Sequence, residues 1–108
     1  MEDQGLIVVL CTAPDDDAAE ALAAGIVAEG LAACVNVVPG LRSHYIWDDS
    51  VQCSSEVQLL IKTRASLFPE VERWLLSHHP HEVPEIVALP VVGASQMYER
   101  WVLAQTVS

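Results

Sequence analysis

The run from Val51 to Thr63 alternates between two kinds of side chain, and it constrains the fold of the 108-residue chain more than any other segment. One alternate set is largely apolar, and the other is polar except for Leu60: Val51, Cys53, Ser55, Val57, Leu59 and Ile61 against Gln52, Ser54, Glu56, Gln58 and Lys62. Successive side chains of a strand point to opposite faces, so the pattern predicts a strand of an antiparallel sheet covered on one face. At about 13 residues, this strand is more than twice the usual length of roughly 5–6.

A second β-like segment precedes this strand. Residues 32–38 and 41–47 have strand character, and Pro39-Gly40 between them predicts a bend or bulge. Asp48-Asp49-Ser50 is a turn sequence, so the two strands form one long hairpin. A hairpin that extends past a small domain exposes unpaired backbone groups. We therefore expect an oligomer in which the hairpin is buried against neighbouring subunits.

The other segments complete a β-α-β-β-α-β order with one further helix. A buried strand is predicted at 6–11, followed by a helix that begins at Asp15–Asp17 and ends at Glu29, before Gly30. A second helix is capped by Ser66 and ends near His79-Pro80. A strand at 84–91 and a last helix capped by Ser95 complete the chain. This order predicts a single α+β domain over 1–108 with the ferredoxin-like fold, in which the helices cover one face of an antiparallel sheet.

Charge and cysteine usage restrict the partners and the compartment. The net charge is -10, from 15 acidic and 5 basic residues, so nucleic acid and anionic membrane surfaces are excluded as main partners. The acidic start, Met1–Gln4, does not resemble a signal peptide, and no apolar run is long enough to cross a membrane. Three widely spaced cysteines indicate reduced thiols, which predicts a cytoplasmic protein.

Cys11 is the first candidate for chemistry. It ends the first strand beside a predicted helix N-terminus, where a thiol can become a nucleophile or a soft metal ligand. The alternative is a small apolar residue that closes the strand, since free cysteine is often buried. Cys34 and Cys53 are predicted to be packing residues.

The densest chemical feature is the segment 77–82, SHHPHE, which holds three of the four histidines. Imidazole together with thiolate suits copper or zinc. Adjacent His78 and His79 reach one metal ion only where the helix has ended, which Pro80 favours. The alternative is that these histidines bind no metal and only interact favourably with the partial negative charge at the C-terminus of the helix.

Nucleophile-elbow and phosphate-loop motifs are absent, so no enzymatic activity is predicted. The aromatic residues of the hairpin and last helix are expected in the core and in subunit contacts: Tyr45, Trp47, Tyr98 and Trp101.

Several blocks in sequence order resemble the CutA divalent-cation-tolerance family. The blocks are VLCTAP at 9–14, LAACVN at 31–36 with Pro39-Gly40, YIW at 45–47, EVQLLIKT at 56–63, HPHEVPEI at 79–86, and the pair Tyr98 and Trp101. The resemblance covers about residues 7–103. Two positions depart from the family pattern: His81 replaces the usual tyrosine, and Asp49-Ser50 replaces a common Gly-Lys turn.

This resemblance implies a cytoplasmic homotrimer whose hairpins embrace neighbouring subunits and which serves tolerance to copper and other divalent cations. It places the copper ligands on Cys11, His78 and His79. The leading hypothesis is a metal-binding protein without catalysis, in which His81 or Glu82 are outer ligand candidates. The alternative is a sensor or scaffold similar to the PII signalling trimers, with a small molecule between subunits. A nucleotide site would have to recruit several of only five basic residues: Arg42, Lys62, Arg64, Arg73 and Arg100.

Overall fold

Four antiparallel strands form one sheet in the order β2-β3-β1-β4, as described by a computed structural model for residues 5–107. The elements are β1 (Leu6–Ala13), α1 (Asp16–Ala28), β2 (Cys34–Trp47), β3 (Ser50–Arg64), a short 3-10 helix (Ala65–Leu67), α2 (Phe68–His78), β4 (Val87–Pro90) and α3 (Gln96–Gln105). This confirms the ferredoxin-like order. The structure does not describe Met1–Gln4 or Ser108. The prediction that no signal peptide is present was based on Met1–Gln4 and therefore lies outside the described residues.

The core lies between the sheet and the helices α1 and α2. Alternate residues of the two central strands face the helices and are fully buried, among them Val9, Cys11, Leu59 and Ile61. The helices contribute Leu22, Ile26, Val71 and Leu75 to the same cluster. Helix α1 begins at the predicted cap, where the Asp15 carboxylate accepts a hydrogen bond from the Ala18 N–H at 2.8 Å. Gly30, with a φ of +74°, follows its end, as expected for a glycine that terminates a helix.

The long hairpin β2–β3 has the predicted construction. Its register shifts between Val38 and Leu41, which places a bulge at Pro39-Gly40. Trp47 pairs with Ser50 around a two-residue turn in which Asp48 and Asp49 have φ values of +52° and +62°. Large apolar side chains of the outer half are exposed in the single chain: Tyr45, Ile46, Trp47 and Val51.

Several local predictions were wrong. The fourth strand, predicted at 84–91, is limited to Val87–Pro90, because residues 84–86 form a loop instead of pairing with β1. Ser66 does not cap α2. The helix directly follows the 3-10 turn and has a proline in its first turn. Proline suits this position because the first N–H groups of a helix have no acceptor within the helix, so the N–H that proline lacks is not missed. Cys53 is exposed, because it lies on the outer part of the hairpin beyond the helices.

The last helix, α3, is held against the end of β3. Ser95 is its cap, as predicted, and its hydroxyl accepts from the Tyr98 N–H at 3.2 Å. The Arg64 guanidinium donates to the Thr106 hydroxyl at 2.9 Å and to the Leu103 carbonyl. Val102 is buried, whereas Trp101 remains half-exposed. Within residues 5–107, no helix is long and apolar enough to cross a membrane.

Candidate functional site

The end of β1 meets the segment that follows α2 through a buried histidine. His79 is the first residue beyond α2 and has an extended backbone, which turns its ring away from the direction of the helix. Its Nε2 donates to the Thr12 carbonyl oxygen at 2.7 Å, and its Nδ1 accepts from the His81 N–H at 3.0 Å. A backbone N–H can only donate, so the proton of the neutral ring is on Nε2. Both ring nitrogens of His79 therefore have partners.

Cys11 lies directly before Thr12 and is completely buried on the helix side of the sheet. Its Sγ is 3.9 Å from the same Thr12 carbonyl oxygen, so Cys11 and His79 share one acceptor. Burial raises the pKa of the Cys11 thiol to about 12, and the charges of Glu85 and Glu56 act in the same direction. The thiol is consequently protonated at neutral pH.

His78 faces a different part of the surface. As the last residue of α2, it stacks its ring on Trp74 with a centroid distance of 4.0 Å, and its Nδ1 is 2.8 Å from the Trp74 carbonyl oxygen. The ring lines a hollow of about 510 Å³ between α1 and α2. The Trp74 ring occupies the space above Gly25, where an added Cβ would be only 2.7 Å from it.

The three predicted ligands are therefore not brought together. The structure places Cys11 and His79 side by side at Thr12, whereas His78 lies on the hollow between the helices. Within residues 5–107, no three side chains of the types His, Cys, Asp or Glu converge on one metal position. In this conformation the set Cys11, His78 and His79 does not fit a single metal ion.

An open groove of about 900 Å³ lies beside this region, between the hairpin and residues 80–85. Its lining combines carboxylates, imidazoles and aromatic rings: Glu56, Glu82, Glu85, His44, His81, Tyr45 and Trp47, with Thr12, Ser43, Pro80, Val83 and Pro84. None of these lining residues is a lysine or arginine, so the groove attracts cations rather than phosphates. We call this surface the acidic groove.

The sequence indicated only one wall of the acidic groove. Residues 77–82 were recognised as a chemical segment, but His44 and Glu56 on the hairpin were not identified as site residues. The sequence could have shown which face of the hairpin they occupy, because the Asp48-Asp49 turn fixes the register of β2 and β3 and therefore which side chains share a face. Their position opposite residues 80–85 depends on tertiary packing, and no local pattern encodes it.

Comparisons with known proteins agree with this geometry. The family model for CutA1, divalent ion tolerance protein, matches residues 7–105. A chloroplastic CutA protein of Arabidopsis thaliana is 46% identical over 100 residues, which cover 93% of this chain and 55% of the relative. The Escherichia coli divalent-cation tolerance protein CutA is 43% identical over 98 residues, which cover 91% of this chain and 88% of that protein. The chain thus spans about half the length of the plant relative and most of the bacterial one.

The solved structure of the divalent cation tolerance protein CutA1 from Thermus thermophilus superimposes with a TM-score of 0.92. It is 42% identical, and the match covers 94% of this chain and 99% of that structure. Fold and groove define a ferredoxin-like α+β domain with an extended hairpin and an acidic groove beside β1. The chain belongs to the CutA1 divalent ion tolerance family.

Proposed function

We propose that this chain forms a cytoplasmic homotrimer that binds copper and other divalent cations without catalysing a reaction. The observation that carries the proposal is the acidic groove. Three glutamates and two histidines line it, and the charges of Glu56 and Glu85 act on the adjacent Cys11 thiol. Carboxylates favour hard divalent cations, and imidazole and thiolate favour copper and zinc, so the region offers donors of both kinds.

The predicted ligands Cys11, His78 and His79 remain part of the proposal as two separate positions, Cys11 with His79 at Thr12 and His78 on the hollow between the helices. Binding at Cys11 and His79 requires release of the thiol proton and loss of the hydrogen bond from His79 to Thr12. Because burial raises the pKa of this thiol to about 12, the cost of ionising it at neutral pH opposes ligation by its sulfur. We therefore expect the cation to bind in the groove first. We expect Cys11 to bind only copper, where the bond between copper and the thiolate offsets the free-energy cost of removing the thiol proton.

The trimer is supported by the apolar surface of the hairpin. Tyr45, Ile46, Trp47 and Val51 are all exposed in one chain, which is unusual for a free surface and is typical of an interface between subunits. The location in the cytoplasm is supported by three unpaired cysteines. Light scattering tests the assembly directly: we expect a mass of three subunits, and a stable monomer would contradict the proposal.

Calorimetric titration with Cu²⁺ tests the ligands one at a time. We compare the wild-type protein with Cys11→Ala, His79→Gln and His78→Gln at equal concentration and pH. Loss of affinity in Cys11→Ala or His79→Gln supports the pair at Thr12, and His78→Gln tests the separate position on the helix hollow. Isotherms identical to wild type in all three variants would remove this set from the site.

The PII-like alternative is separated by thermal shift with nucleotides and metal ions in parallel. Three of the five basic residues already have partners: Lys62 with Asn36, Arg64 with α3, and Arg73 with Glu70. We therefore expect stabilisation by divalent cations. Stabilisation by a nucleotide alone would favour the sensor hypothesis.

A further inference from the structure

The hairpin carries a cysteine and a histidine directly opposite each other. His44 on β2 pairs with Cys53 on β3, between the bulge and the Asp48-Asp49 turn. Their side chains meet on the same face of the hairpin, with Cys53 Sγ at 3.6 Å from His44 Nε2. Both residues are exposed in the single chain, and His44 also lines the acidic groove, from which an ion can reach the pair.

The separation of these two atoms is that of two ligands on one tetrahedral ion. Zinc binds cysteine sulfur at about 2.3 Å and histidine nitrogen at about 2.0–2.1 Å, which at the tetrahedral angle puts the two donor atoms about 3.5 Å apart. The observed 3.6 Å matches this distance without any movement of the backbone. The strands hold both Cβ atoms in register, so the donor pair is preorganised.

The present contact between the two side chains is easily replaced by a metal ion. A thiol is a weak hydrogen-bond donor and acceptor, so little is lost when Cys53 releases its contact with the imidazole. On binding, Cys53 gives its proton to solvent and the thiolate coordinates, while the neutral ring of His44 coordinates through Nε2. His79 differs because both its nitrogens are engaged, and Cys11 differs because it is buried.

We propose that His44 and Cys53 form a bidentate site for a thiophilic divalent cation of the zinc type. This site uses none of Cys11, His78 and His79. It shares His44 with the acidic groove and so extends the function proposed above, and its thiolate ligand Cys53 distinguishes it from binding by the groove carboxylates. Water fills the remaining coordination positions, since no third donor of the residues 5–107 converges on the pair. Two protein ligands suit reversible binding of a cation better than a permanent structural site.

Cobalt(II) titration of the full chain tests the pair, because a thiolate ligand gives cobalt a charge-transfer band in the near ultraviolet. The background carries Cys11→Ala and Cys34→Ala, which leaves Cys53 as the only thiol. We expect the band in this background, its loss in Cys53→Ser, and an affinity at least tenfold lower in His44→Gln. The control Glu72→Gln, which changes an exposed side chain of α2 outside the groove, should keep the band and the affinity. Zinc(II) should displace cobalt.

A second measurement uses the otherwise wild-type protein and does not depend on the double-cysteine background. Zn²⁺ should slow alkylation of Cys53, identified by peptide mass, at least tenfold, and this protection should be lost in His44→Gln. Absence of the cobalt band, or the same affinity and protection in His44→Gln as in the parent, would overturn the proposal. The charge-transfer band requires a thiolate ligand, which the groove carboxylates cannot supply, so this result is distinct from the test of the groove function.

Discussion

His79 donates a hydrogen bond from Nε2 to the carbonyl oxygen of Thr12 over 2.7 Å, which joins the end of α2 to the end of β1. The same ring accepts a second bond from the His81 N–H. One buried imidazole thus connects the core beside Cys11 with the segment that forms a wall of the acidic groove. Neighbouring His78 makes no contribution to this connection, because its ring stacks on Trp74.

The first prediction concerns this difference between adjacent histidines. His79→Ala leaves the Thr12 carbonyl and the His81 N–H without their partner, and we expect the free energy of unfolding to fall by about 1–3 kcal/mol. His78→Ala is the matched control. Its ring is exposed, so we expect a loss below about 1 kcal/mol. Urea unfolding at pH 7 measures both, and an equal or larger loss in His78→Ala would contradict the assignment.

The second prediction is a pH dependence of stability from Cys11. Folding raises the pKa of this thiol from about 9 to about 12, so the folded state keeps the proton at a pH where the unfolded chain has lost it. The contribution to stability is complete below about pH 9 and is lost as the pH rises toward 12, with a total of at most about 4 kcal/mol.

Other groups also titrate in this range, so the measurement is a difference between two proteins. The free energy of unfolding of the wild type should fall more steeply between pH 9 and 11 than that of Cys11→Ala. Parallel curves for the two proteins would contradict a raised pKa.

The third prediction concerns the contact between α1 and α2. Alanine normally stabilises a helix by about 1 kcal/mol relative to glycine. At Gly25 the added Cβ would be 2.7 Å from the Trp74 ring, so Gly25→Ala should instead destabilise the protein. In a Trp74→Leu background the clash disappears, and the same substitution should become neutral or stabilising. Thermal unfolding of the four proteins tests this, and a stabilising Gly25→Ala in the wild type would refute it.

The fourth prediction uses the hairpin turn. Asp49 has a φ of +62°, in the region that favours glycine. Asp49→Gly should raise the free energy of unfolding by about 0.5–1 kcal/mol. Asp49→Ala removes the same charge but disfavours this conformation, so it should lower stability by about 1 kcal/mol. The same sign for both variants would show that charge, rather than the backbone, determines the effect.

Much of the fold is encoded locally and was predictable from sequence. The alternation over 51–63 fixes a strand with one buried face, Pro39-Gly40 marks the bulge, and Asp48-Asp49 fixes the register of the hairpin. Asp15 and Gly30 delimit α1 by the ordinary chemistry of helix ends. Each of these signals acts within a few residues.

The site was less predictable, because its parts come from distant segments. The sequence places His78 and His79 next to each other, yet the end of α2 between them sends one ring to Trp74 and the other to Thr12, 67 positions earlier. Glu56 and His44 belong to the hairpin, and only the packing of residues 80–85 beside it makes them part of one groove. Cys11 was recognised as buried or reactive, and its complete burial depends on how α1 and α2 cover the sheet.

The most direct test of the central claim is the affinity for Cu²⁺ after neutralisation of the acidic groove. The double variant Glu56→Gln, Glu85→Gln removes two groove charges, and Glu20→Gln, Glu72→Gln removes two exposed helix charges as a control with the same net charge. Calorimetric titration at fixed pH and ionic strength should give at least a tenfold loss of affinity in the groove variant, with the control close to wild type. Equal affinities of the two double variants would contradict binding in the groove.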